Sequence, residues 1–259
     1  HKTYVDVIGD LIHKSKIDPE SIGVYLLAKH AQERNANVFE KEKAQRAKNI
    51  ARTKKEIQKL EDDVEVDHTV AIATQQERLS LYETMPFKFE DSGSGMTNGE
   101  AQSVLNTAER EGTKGQMEEI ASKVYEMLQF QRDRMVKARL LDEVSKADWE
   151  DTFKFYVPLK GFAAEENGDT YVRGSTSRGF SIVGSESMKA KGRKTLPVNP
   201  LLTAIEDVQK KIIRARKNET AQTLLDLLSN LGTSDSYVIY NNKFRPPMES
   251  DPLTMQDLK

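Results

Sequence analysis

Phe153-Lys154-Phe155-Tyr156-Val157-Pro158-Leu159-Lys160-Gly161-Phe162 opens the one block of this sequence with a β pattern. An Asn167-Gly168-Asp169 turn follows, then Thr170-Tyr171-Val172-Arg173 and a basic stretch, Arg178 to Lys194. Aromatic and branched residues alternate on both sides of Asn167-Gly168, a pair that favours hairpin turns. The block predicts a small β-hairpin over 153–183, with Pro158 either placing the first strand at an edge or ending it. Outside it the pattern is mainly helical, with a loop at Phe87 to Met96 and a short strand expected at Tyr237 to Tyr240. The expected fold is therefore mainly α: a multi-helix domain with an inserted antiparallel helical hairpin and this small β-hairpin.

Working outward, the segment Ala44 to Val64 carries a thin apolar stripe, Ala47, Ile50, Ile57, Leu60 and Val64, in an otherwise charged background. A stripe this narrow suits two helices zipped together. Val70, Ala73, Leu79 and Tyr82 restart it after Asp62-Asp63 and Asp67-His68, so the tip of a helical hairpin is expected near 62–68. Asp62, Asp63, Glu65, Asp67 and His68 include metal-ligating types but lack EF-hand spacing, and they are read as a solvated tip. The expected organisation is a helical core over 1–39 and 84–240, a coiled-coil-like insertion over 40–83, and a Pro-containing tail over 241–259.

Several helix boundaries are written in the residues. Asp18-Pro19 and Asn199-Pro200 are starts, with Pro in the first turn. Thr97 with Glu100 forms a capping-box pair, Ser145 is read as the cap of a short helix bearing Trp149, and Met85-Pro86 is a stop. Ile120, Val124, Met127, Leu128, Gln131 and Met135 supply one buried face. Leu201, Leu202, Ile205, Val208, Ile212 and Ile213 supply another. Arg132, Arg134, Lys137 and Arg139 are assigned to a solvated side.

The chain has 259 residues, 31% of them charged and 7% aromatic, with net charge −2 and mean hydropathy −0.65. There is no global basic field, so any nucleic-acid contact has to be local. Cysteine is absent, which removes thiol catalysis, disulfides and Cys-ligated zinc. No apolar run is long enough to span a bilayer. His1 stands where a Met is expected, so the sequence reads as a fragment, a processed product or the ordered part of something larger.

Two clusters invite functional readings. His30, Glu33, Arg34 and Asn35 lie together at what reads as a helix end, either as a site or as polar groups that bond neighbouring backbone. Lys160, Arg173, Arg178, Lys189, Lys191, Arg193 and Lys194 are the local candidates for phosphate contacts, against the alternative of a long loop anchored on acidic helices. Tyr156 and Tyr171 are either stacking platforms for bases or ring packing against a helix. Gly93 and Gly95 are not a phosphate loop, since no strand precedes them and no Gly-Lys-Ser/Thr follows. No catalytic residue and no cofactor is assigned.

Four pieces occur in order: Tyr25 to Asn35, Gly93 to Ala101, Tyr156 to Phe162, and Arg214 to Asn218 after Asn199-Pro200-Leu201. Together they resemble the accessory domain of the large polyvalent proteins of bacteriophages and mobile elements, whose signature is Pro-Leu-x-Arg-Phe-Gly. On this resemblance His30, Glu33, Arg34, Asn35, Tyr156, Pro158, Leu159 and Asn218 are the signature positions. The sequence departs from the pattern at Lys160-Gly161-Phe162, which leaves a ligand carried by the signature's Arg unassigned, and at the Lys41 to Tyr82 hairpin. The resemblance implies a non-catalytic module of a very long phage chain. Its setting is the virion or the bacterial host cytoplasm, and its role ejection, host takeover or antirestriction. Its partners are other domains of the same chain, phage or host proteins, and DNA, with oligomeric state open. The alternative is a nucleic-acid hydrolase, which requires Glu33, Asp91 or Glu100 to converge with His30 on one pocket.

Overall fold

A computed structural model describes residues 2–63, 67–161 and 192–230. Seven helices account for most of the described residues: α1 (Lys2–Ser15), α2 (Pro19–Asp62), α3 (Thr69–Thr84), α4 (Asn98–Arg110), α5 (Lys114–Lys137), α6 (Glu143–Thr152) and α7 (Pro200–Asn230).

Local chemistry sets most of the ends. The Asp18 carboxylate accepts from Ser21 N–H at 3.3 Å, and Pro19 occupies the first turn of α2. Thr97 and Glu100 form the reciprocal capping box of α4. Asn199 Oδ1 accepts from Leu201 N–H at 2.9 Å, while its Nδ2 donates to Pro19 O at 3.1 Å, so one side chain ties the start of α7 to the start of α2. Gly23 makes room for this, because a Cβ there would collide with the Asn199 amide. The cap of α6 is Asp142, which accepts from Ser145 N–H at 2.7 Å; Ser145, read from sequence as the cap, is the third residue of the helix. Gly112 ends α4 in the left-handed region, with Thr113 N–H bonding Ala108 O and Gly112 N–H bonding Glu109 O. Gly115 lies in the first turn of α5.

The main core gathers Ile8, Ile22, Tyr25, Leu26, Met117, Ile120, Val124, Met127, Leu128, Val157, Leu201 and Val208. It is built where α1, the first half of α2, α5 and α7 meet. The expected face of α5 is buried throughout. On α7 the face is rotated from the expected one. Leu202 and Ile213 are exposed, and Ala204, Ala215 and Ala221 are buried in their place, small side chains that suit close helix approach. The basic side of α5 is also not simply solvated: Arg132 Nε donates to Glu150 at 3.0 Å and Arg134 Nη2 to Glu219 at 3.0 Å.

α2 is a single helix of 44 residues, about 66 Å long. It crosses residue 40 without a break and passes beyond the end expected near Asn35. α3 packs along its second half. The seam uses Ile50, Thr53, Ile57 and Leu60 of α2 and the half-buried Ile72, Gln75, Leu79 and Tyr82 of α3, a three-four spacing suited to a coiled coil. Val70 and Ala73, expected in the stripe, face outward. At the tip, Asp67 accepts from Thr69 N–H and Oγ1, and His68 Nε2 lies 2.9 Å from Asp63 Oδ2.

The β-hairpin expectation is not met where it falls on described residues. Among the described residues Phe153 to Leu159 is a turn followed by irregular chain with no partner strand, and the one β contact is an isolated bridge between Ser94 and Arg193. The segment instead packs its rings on helices. Val157 is fully buried in the main core, and Leu159 contacts both that core and a second cluster around Leu27, Ala31, Met96 and Ala101. The second arm of the expected hairpin lies outside the described residues, as do the strand expected at Tyr237 to Tyr240 and the tail 241–259.

Candidate functional site

The α2 residues singled out from sequence, His30, Glu33, Arg34 and Asn35, lie within a turn and a half of helix and meet three different segments. His30 is fully buried. Its ring packs edge-on against Phe153 and Tyr156, with centroids at 5.2 and 5.6 Å. Its Nδ1 lies 3.8 Å from Glu33 Oε2, too far for a hydrogen bond, and neither ring nitrogen has a hydrogen-bond partner among the described residues. Burial pushes its pKa below the ordinary histidine value, with the Arg34 charge adding to this against the opposing pull of Glu33. The imidazole is therefore neutral near pH 7.

Glu33 faces the turn after α6. Its two oxygens accept from Lys154 N–H and Phe155 N–H, both at 3.0 Å. Burial alone would raise its pKa, but His30 and these two backbone donors together hold it below the ordinary carboxylate value. Arg34 is largely buried beside Tyr156 and Arg193, and burial lowers its pKa.

Asn35, also fully buried, organises the glycine loop before α4. Its Nδ2 donates to Asp91 O (2.6 Å), Met96 O (2.9 Å) and Asn98 Oδ1 (2.9 Å), and its Oδ1 accepts from Ser94 N–H (2.7 Å). That loop in turn holds the chain entering α7: Arg193 N–H donates to Gly93 O at 3.0 Å. Gly95 sits at φ +88°, and a Cβ there would strike Thr195 O, so this crossing requires glycine.

Asn218 performs a similar service elsewhere. Its Nδ2 donates to Ala138 O at 2.6 Å in a buried setting. Ala138 is the C-cap of α5, where Arg139 takes the left-handed conformation at φ 56° and Leu140 N–H returns to Met135 O. Helix ends leave carbonyls without partners, and Asn218 supplies one.

Tyr156 is enclosed by rings: Trp149 (4.8 Å), His30 (5.6 Å) and Phe153 (6.2 Å). Its ring packs against helices and is not an open stacking platform. Pro158 is buried and Leu159 half-buried behind it.

The cations expected to contact phosphate are scattered among described residues. Lys160 Nζ lies 3.6 Å from Asp207, Arg193 folds back onto Thr195 O and Leu196 O, and Lys194 is exposed. Arg173, Arg178, Lys189 and Lys191 lie outside the described residues, as do Tyr171 and Phe180.

The acids proposed for hydrolysis do not gather. Glu33 approaches His30, but Glu100 is bound to Thr97, and Asp91 presents only its backbone carbonyl to Asn35. Among the described residues no group of three or more metal-ligating side chains comes together. One surface groove lies on α4 and another between α2, α4 and α5, and neither is lined by a signature residue.

Two polar centres were missed from sequence. Glu42 accepts from Lys88 N–H (2.8 Å) and Phe89 N–H (3.0 Å), repeating the Glu33 device two and a half turns further along α2. Glu118 accepts from Tyr25 Oη (2.6 Å) and Lys29 Nζ (2.7 Å), with Lys29 lying over the Phe155 ring. Nothing in local sequence announces partners 46 to 93 residues apart. No helix among the described residues is long and apolar enough to cross a membrane. Set against protein-family models, curated proteins and solved structures, the chain matches none.

Proposed function

We propose that this chain is a non-catalytic structural and interaction module of a large phage or mobile-element protein, packaged in the virion and delivered with the DNA, with an ejection, host-takeover or antirestriction role. The phage setting rests on the sequence resemblance. The non-catalytic reading is supported by one observation: Glu33, Asn35 and Asn218, three of the signature's polar residues, direct their hydrogen bonds to the chain's own backbone. Groups used in this way fix loops relative to helices, and they are not offered to a substrate. DNA contact through Lys160 and the 173–194 basic stretch belongs to the same reading.

A hydrolase reading has the 3.8 Å approach of His30 and Glu33 in its favour. Against it stand a neutral, buried imidazole and a carboxylate whose oxygens each hold a backbone N–H. Two experiments test the proposal. Mass spectrometry of purified virions is expected to find the chain, and its absence removes the delivery claim. Incubation with supercoiled plasmid and a divalent cation is expected to leave the plasmid intact. Cleavage that disappears in Glu33→Gln replaces the non-catalytic reading with the hydrolytic one.

A further inference from the structure

The second half of α2 carries a cationic row that the reading above does not use. Lys41, Lys48, Arg52, Lys55 and Lys59 are all exposed. At about 100° per residue they fall within an arc of roughly 60°, and the row extends about 27 Å. The α3 seam, through Ile50, Thr53, Ile57 and Leu60, lies on the opposite side of the helix. The row therefore faces outward along the whole arm.

Several surface cations elsewhere pair with acids on the same helix. Lys43 meets Glu40, Lys123 meets Glu126, Lys210 meets Glu206 and Lys211 meets Asp207. Lys48, Lys55 and Lys59 make no ion pair among the described residues, and Arg52 has only Glu56 at 3.8 Å, with both side chains largely exposed. Lys48/Arg52 and Lys55/Lys59 are like charges at i,i+4, an arrangement that weakens a helix. A solvated face gains nothing from it.

We infer that this row is a binding surface for the phosphate backbone of duplex nucleic acid. Five cations in line over about 27 Å match a polyanion with one charge per ~3.4 Å of each strand. The arc is flanked by Ala44, Gln45, Ala51, Glu56 and Asp62. It thus offers no large apolar wedge for a bilayer, no aromatic ring to stack on an unpaired base, and no aromatic anchor for a protein partner. Contacts made only to phosphates are independent of sequence and steeply salt-dependent.

The inference deepens the DNA-contact part of the proposed function and moves that contact from the 173–194 stretch to the arm. The test is fluorescence anisotropy of the full chain with a labelled mixed-sequence duplex, titrated across salt concentrations. Three variants are compared with the wild type. The first combines Lys48→Ala, Arg52→Ala, Lys55→Ala and Lys59→Ala. The second combines Lys43→Ala, Lys114→Ala, Lys123→Ala and Lys210→Ala, removing equal charge from paired positions. The third combines Arg178→Ala and Arg193→Ala.

The arm variant is expected to bind at least about tenfold more weakly at low salt, with a log–log salt slope smaller by about 3.6, or about 0.9 for each phosphate lost. The paired-site variant is expected to stay near wild type. Alanine favours helix, so unchanged circular dichroism is expected in both. Unaltered affinity in the arm variant overturns the inference. So does an equal loss in the paired-site variant, or competition by phosphatidylserine vesicles or polyglutamate as strong as by duplex. Loss confined to the Arg178/Arg193 variant overturns the inference while leaving DNA contact in place. No binding by wild type at low salt removes both, and the virion and plasmid tests of the proposed function stand apart from either result.

Discussion

Residues 19–39 of α2 and residues 40–62 of the same helix share a backbone and meet opposite surroundings. The first stretch buries Ile22, Tyr25, Leu26, Leu27, Ala28, His30, Ala31, Asn35 and Val38, and it touches α4, α5 and α7. The second buries only Thr53 and Ile57, and α3 covers one side of it. Helix stability in a protein comes mainly from tertiary packing of an apolar face. The two halves should therefore respond to damage differently, one with the whole fold and the other locally.

The largest effect is expected from Leu26→Ala, fully buried in the main core, at about 3–4 kcal/mol of global stability. Denaturant unfolding measures it, and a loss below ~1 kcal/mol would mean that the first half is no better anchored than the arm. Asn35→Ala should follow at about 2–3 kcal/mol, because it strands Ser94 N–H in a buried loop and removes a donor from Asp91 O and from Met96 O. A thermal melt unchanged from wild type would sink the view that this amide holds the loop. Ile57→Ala should cost about 1–2 kcal/mol, but within the arm. Hydrogen exchange is expected to quicken across α3 while amides near Val124 and Leu128 keep their protection, and uniform acceleration would show that arm and core unfold as one unit.

A pH titration sharpens the comparison from the core side. The His30 pKa is depressed in the fold, so the unfolded chain binds the proton more readily. Stability is then fully present above about pH 6.5 and is lost as pH falls below it, at up to about 1.4 kcal/mol per pH unit. His30→Phe should flatten this slope between about pH 6.5 and 5. A slope that persists assigns it to other groups. The smallest effect belongs to the arm's surface: Lys54 and Glu83 are 3.2 Å apart and both largely exposed, and Glu83→Gln should shift stability by less than about 0.5 kcal/mol.

Much of the frame is legible in the residues because it depends on neighbours in sequence. Asp18-Pro19, Thr97 with Glu100, Asn199-Pro200 and the buried face of α5 are local signals, and each appears as read. The failures share one cause. Phe153 to Leu159 has strand-like alternation, but its alternating rings find His30 and Trp149 on helices where a strand would have found a partner strand. His30 to Asn35 reads as a helix end because its polar groups look unsuited to a helix interior. The helix continues because Glu33 and Asn35 find their partners in segments 56 to 122 residues away. Ser145 loses the cap role to Asp142, three residues earlier, whose carboxylate reaches the same turn more directly. Pairings between distant segments leave no periodic trace, and the candidate site consists almost wholly of such pairings.

No glycine or proline interrupts α2 between Gly23 and Asp62, and this makes the arm's rotational setting a property of the core. Inserting one residue near Ala44 would turn everything beyond it by about 100° while lengthening the helix by about 1.5 Å. The outward cations would swing to the flank, and the α3 seam would lose its match. Seven residues added to each helix of the hairpin would instead nearly restore the phase. Changes in the reach of this arm should come in steps of whole heptads, a rule that length variants built by insertion can check directly.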